Sequence, residues 1–113
     1  MQIVIAIGFL HQHNVAYRNL KLENILMRES GYIVLADFSL SKMMFNCSSL
    51  AQSFYETQPH MAPEMICNGQ VLKSSDWWML GVLVFELISG KPPFSHKNSK
   101  MLREMISKNE IIW

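Results

Sequence analysis

At 113 residues the chain has room for one small domain at most. Half of it is hydrophobic and only 17% is charged, against about 25% in ordinary globular domains. Some apolar faces are therefore expected to lie against other structure; the alternative on composition alone is an unusually Met-rich small domain. The net charge of +1 gives no electrostatic steering toward nucleic acid or an anionic membrane.

Cys47 and Cys67 have no metal-ligand spacing and read as thiols of a reducing compartment, which suits the cytoplasm or nucleus. Met1 to Leu10 is apolar but lacks a basic leader and a small-residue cleavage site, so it is not read as a signal peptide. Met79 to Ile88 is too short to span a bilayer and contains Glu86.

In chain order, Ile3, Ala6, Ile7 and Leu10 recur at helical spacing and predict an amphipathic helix over residues 2–12. Asn14 can end it, because Asn tolerates the left-handed conformation. Residues 24–27 and 32–36 are strand-like runs around Ser30-Gly31, a turn signal, and predict a hairpin. Residues 40–61 show no period and read as a long loop. Pro63 suits the first turn of a short helix carrying Glu64. Ser74 or Ser75 reads as the N-cap of the next helix, with Asp76 at its positive end.

From Trp77 to Ile88 that helix is apolar nearly all round, the pattern of a buried central helix. Gly90 is placed to end it, and Pro92-Pro93 prevents its resumption. Asn98 or Ser99 caps a last helix to Lys108, whose basic residues read as a solvated face. His11, His13, His60 and His96 show no ligand spacing and read as surface or loop residues.

Between the first helix and the hairpin lies Tyr17-Arg18-Asn19-Leu20-Lys21-Leu22-Glu23-Asn24. It is followed in order by Asp37-Phe38-Ser39, Ala62-Pro63-Glu64, Asp76-Trp77-Trp78 and Gly90-Lys91-Pro92-Pro93-Phe94. This ordered set resembles the large lobe of a serine/threonine protein kinase. Tyr17 before the Arg, Lys21 to Asn24, and Trp77-Trp78 resemble the AGC group. Leu35 to Lys42 and Ser53-Phe54 are similar to the mitogen- and stress-activated kinases and their ribosomal-protein kinase relatives.

The resemblance covers nearly the whole chain. It implies that residues 1–113 are a partial protein-kinase domain, a large lobe without the small lobe or last helices. The implied fold is mainly α (α+β), with a small β-hairpin by the catalytic loop. The 113 residues contain no glycine-rich loop ahead of the catalytic loop.

The family uses ATP and magnesium, and the resemblance assigns roles to positions here. Asn19 stands where the catalytic Asp accepts the substrate proton. A carboxamide is no base near neutral pH, and a positioned base contributes about 10²–10⁴-fold. Lys21 matches the Lys on the transferred phosphate. Asn24 and Asp37 match the two magnesium ligands, and are expected to be vestigial, with no cofactor for this chain. Ser39 replaces a Gly whose backbone freedom a Cβ restricts.

Ser53 matches the activation-loop phosphorylation position, with Arg18 as the phosphate's partner. Glu23 and Glu86 match acidic positions that receive a substrate Arg, Glu86 being weighed more heavily as an internally paired carboxylate. Thr57 matches a substrate-seating position, but Glu56 replaces the Gly before it and Gln58-Pro59-His60 departs from the pattern after it. Asp76 is expected to accept from backbone amides of the catalytic loop. Glu64 is expected to lack the Arg that braces it in the family.

These features predict a degenerate, inactive kinase piece acting as an interaction module. Its implied partner is a kinase lobe or a chaperone, with no nucleic acid and no membrane. The alternative is an excerpt of an ATP-dependent AGC kinase acting on basic substrates.

Overall fold

The computed structural model describes residues 1–44, 49–50 and 57–111. Four helices and three two-stranded antiparallel sheets make up the described part: α1 (Gln2–Gln12), β1 (Val15–Ala16), β2 (Ile25–Met27), β3 (Ile33–Leu35), β4 (Lys42–Met43), β5 (Ser49–Leu50), α2 (Pro63–Asn68), β6 (Gln70–Val71), α3 (Lys73–Ser89) and α4 (Ser99–Lys108). A 3-10 turn at Leu22–Asn24 leads into β2.

The chain breaks where its turn residues permit. Asn14 takes φ 58° after α1, and Gly31 takes φ 80° in the β2–β3 hairpin, whose register pairs Ile25 with Leu35 and Met27 with Ile33. Gly90 caps α3 at φ 75°. Left-handed torsions cost Gly little and Asn less than most residues. Asn98 caps α4, its side chain accepting from the amides of Lys100 and Met101.

Two short pairings lie inside the stretch that reads as a loop. β4 pairs with β1 (Val15 opposite Met43, Ala16 opposite Lys42), and β5 pairs with β6 (Ser49 opposite Val71). Two-residue strands carry no period of their own; distant partners define them.

The start of α3 also differs from expectation. Its N-cap is Leu72, not Ser74 or Ser75. The hydroxyl of fully buried Ser75 donates to Glu64 Oε1 at 2.7 Å, so it is not available as a cap. Lys73 Nζ donates to the His11 carbonyl at 2.7 Å and to Asn14 Oδ1 at 2.8 Å, pinning the first turn of α3 to the end of α1.

Helix α3 serves two cores. Met79 and Leu83, one helical turn apart, meet Ile7, Tyr17 and Leu20. Val82 meets Phe94, Leu102 and Ile106, beside Trp78, whose ring stacks on Phe94. The expectation of a helix buried all round is corrected, because Trp77, Val84, Leu87 and Ile88 are exposed. The apolar sequence supplies more faces than these two cores cover.

Candidate functional site

The loop from Tyr17 to Asn24 follows β1 and is tied at its start to the first turn of α3. Asp76, in the first turn of α3 and fully buried, accepts from Tyr17 N at 2.9 Å and Arg18 N at 2.7 Å. His11 Nε2 lies 2.7 Å from its Oδ2. Three donors on one carboxylate satisfy a group that would otherwise be costly to bury. His11 is therefore a structural partner rather than a surface residue. Its place one turn after Ile7, on the face of Ile3 and Ile7, is the signal that pattern reading could have used.

Arg18 adopts φ 68° and Asp37 φ 56°, conformations disfavoured for residues with a Cβ. Both are held by their contacts. Arg18 Nε donates to the Leu40 carbonyl, and Asp37 is fixed by Ser39 and Asn19. Ser39 itself is not in the left-handed region. The expected backbone penalty for replacing Gly there does not arise. The Ser39 hydroxyl and amide both donate to Asp37 Oδ1 instead.

Asn19 is buried and its Nδ2 donates to Asp37 Oδ2 at 2.8 Å. Asn24 Nδ2 donates to the Asn19 carbonyl at 2.8 Å. The three positions that resemble base and metal ligands thus form one hydrogen-bonded group. The Asp37 carboxyl is held below the usual carboxylate range, chiefly by the hydrogen bonds from Ser39, with Asn19 and Lys21 adding to the effect. Tyr17 donates its hydroxyl to the Ala36 carbonyl. Burial, with the charges of Asp37 and Asp76, pushes its phenol up to about 12.

A second arrangement lies on the other side of Lys21. A cleft of about 170 Å³ is lined by Lys21, Glu23, Pro59, His60, Glu86 and neighbouring apolar residues. It brings Glu23 and Glu86 onto one concavity. Glu86 has no ion pair or side-chain hydrogen bond among the described residues, so the internal pairing favoured for it is not present. His60 is a loop residue, half-buried beside this cleft; burial, assisted by Lys21 and opposed by Glu23, pushes its imidazole down to about 4.

Thr57 is buried. Glu64, expected to lack a brace, takes one from Ser75. Ser53, and with it a phosphate partner for Arg18, lies outside the described residues, as do Cys47 and Glu56. Cys67 is exposed, with Sγ 3.2 Å from Ser107 Oγ. Among the described residues no cluster of His, Cys, Asp and Glu forms a ready metal site, and no helix is long and apolar enough to cross a membrane.

The site thus comprises a loop hung from a buried aspartate, an Asn19–Asp37 pair after a hairpin, and a cleft that holds Glu23 and Glu86. The protein kinase domain family matches residues 1–113, and the chain belongs to that family. It is 38% identical over 112 residues to Protein kinase C-like 1B of Caenorhabditis elegans, covering 99% of this chain and 16% of that protein. It is 41% identical over 110 residues to Ribosomal protein S6 kinase alpha-6 of Danio rerio, covering 97% and 15%. A probable serine/threonine-protein kinase of Dictyostelium discoideum is 40% identical over 105 residues, covering 93% and 23%. The chain thus spans less than a quarter of the length of these relatives. Its relatives include kinases of the AGC group.

Proposed function

We propose that this kinase-domain region carries no phosphotransfer of its own and acts as a pseudokinase-like interaction module. The observation that carries the reading is Asn19: at the base position stands a carboxamide whose N–H is already given to Asp37. The exposed apolar side chains on α1 and α3 support a protein partner, another kinase lobe or a chaperone, in the cytoplasm or nucleus.

The test is phosphate transfer from ATP to a basic Ser/Thr peptide by the purified chain. No turnover is expected, with or without Asn19→Asp. Turnover that disappears in Lys21→Ala would overturn the reading.

A second reading, an excerpt of an active kinase for basic substrates, is favoured by the shared cleft of Glu23 and Glu86. Two carboxylates on one concavity suit a guanidinium. It requires that the longer protein supply both an ATP site and a substitute for the missing base.

A further inference from the structure

The magnesium that the family implies needs oxygen ligands in near-octahedral array. The residues here do not fit it. Asp37 Oδ2 accepts from Asn19 Nδ2, and Asp37 Oδ1 accepts from both the amide and the hydroxyl of Ser39. We infer that the Asn19 amide, with Ser39, is a built-in substitute for the divalent cation at Asp37, holding this carboxylate in place without metal.

The orientation of the Asn19 amide follows from chemistry. Turned the other way, its carbonyl oxygen would face a carboxylate oxygen at 2.8 Å, with no hydrogen between them. The amide therefore directs an N–H at Asp37 and takes one acceptor position of its Oδ2, where a cation would otherwise sit. Asp37 is also in a left-handed conformation at φ 56°, which needs local contacts to hold it. Ser39 provides two on one side and Asn19 one on the other. An Asp at position 19 would bring a second carboxylate to the same oxygen, and such a pair repels unless positive charge lies between. One substitution thus removes the base and replaces that repulsion with a hydrogen bond. The inference concerns cation binding, so its failure would leave the activity reading standing.

The experiment uses the 113-residue chain at one neutral pH and constant ionic strength. Thermal melting is followed in EDTA and across millimolar MgCl2 and MnCl2. The native chain should show no saturable shift. Asn19→Asp should melt lower in EDTA than the native chain, by an amount that the exposure of Asp37 keeps small. It should recover saturably with either cation. A variant that melts like the native chain and ignores both cations would overturn the inference.

A second measurement does not depend on that variant folding. Mn²⁺ should broaden the amide resonances of Asp37, Phe38 and Ser39 in the native chain no more than in Asp37→Asn. Selective broadening at these residues in the native chain would show that the cation enters despite Asn19, and would equally overturn it.

Discussion

His11 Nε2 lies 2.7 Å from Asp76 Oδ2, joining the last turn of α1 to the first turn of α3 across 65 residues of chain. The same carboxylate receives the amides of Tyr17 and Arg18. The loop that carries Asn19 is thus suspended from α3, and α3 is anchored in the core by Met79 and Leu83.

Asp76→Ala should cost about 3–5 kcal/mol in chemical denaturation, because it strands buried donors that have no water to turn to. His11→Gln should cost less, since both backbone amides keep their acceptor. A loss below about 1 kcal/mol for Asp76→Ala would mean that other contacts hold the loop.

The two variants probe what a sequence can and cannot display. The first helix was legible because Ile3, Ile7 and Leu10 repeat at the spacing of one face, and the last through its capping residue Asn98. The β2–β3 hairpin was legible through Ser30-Gly31, and the ends of α3 and α4 through Gly90 and Asn98. β4 and β6 were not, because each is two residues whose partner lies far along the chain.

The motif residues were legible as types in order; their contacts were not. Nothing local says that Ser75 is taken by Glu64, that His60 lines a cleft with Lys21, or that Ser39 binds Asp37 instead of straining the backbone.

His60 makes stability depend on pH. Its folded pKa is pushed down to about 4 from 6.5, so between those values the unfolded chain binds a proton that the folded chain does not. Stability is then fully present above about pH 6.5 and falls as pH drops toward 4. The loss from this one group is on the order of 2 kcal/mol, after discounting its partial exposure. His60→Gln should flatten that part of the profile in urea melts taken from pH 7 to pH 4. An unchanged slope would place the acid sensitivity elsewhere.

Asn98→Ala should destabilise the chain by about 1 kcal/mol, the usual worth of an N-cap whose side chain accepts from the first turn. Because α4 packs Leu102 and Ile106 against Val82 and Phe94, the loss should register in global unfolding and not only as local fraying. Asn98→Ser, which keeps a capping oxygen, should restore most of it. Equal losses for Ala and Ser would show that the cap contributes nothing here.

The last prediction concerns the uncovered face of α3. The chain exposes 7369 Å², against about 6,400 Å² for a folded monomer of its mass. Leu87 is 60% exposed and Ile88 83% exposed, near the C-terminal end of the helix. Apolar side chains so placed favour association and dye binding. Replacing Leu87 with Gln and Ile88 with Lys removes that surface and puts a cation where the helix dipole favours one. Because both side chains contribute little to the two cores, the change in stability should stay within about 0.5 kcal/mol. Dye fluorescence and the self-associated fraction in size-exclusion chromatography should fall at neutral pH. A native chain that runs as a sharply melting monomer and binds no dye would show that these faces are closed in solution, and would remove the support they lend to a protein partner.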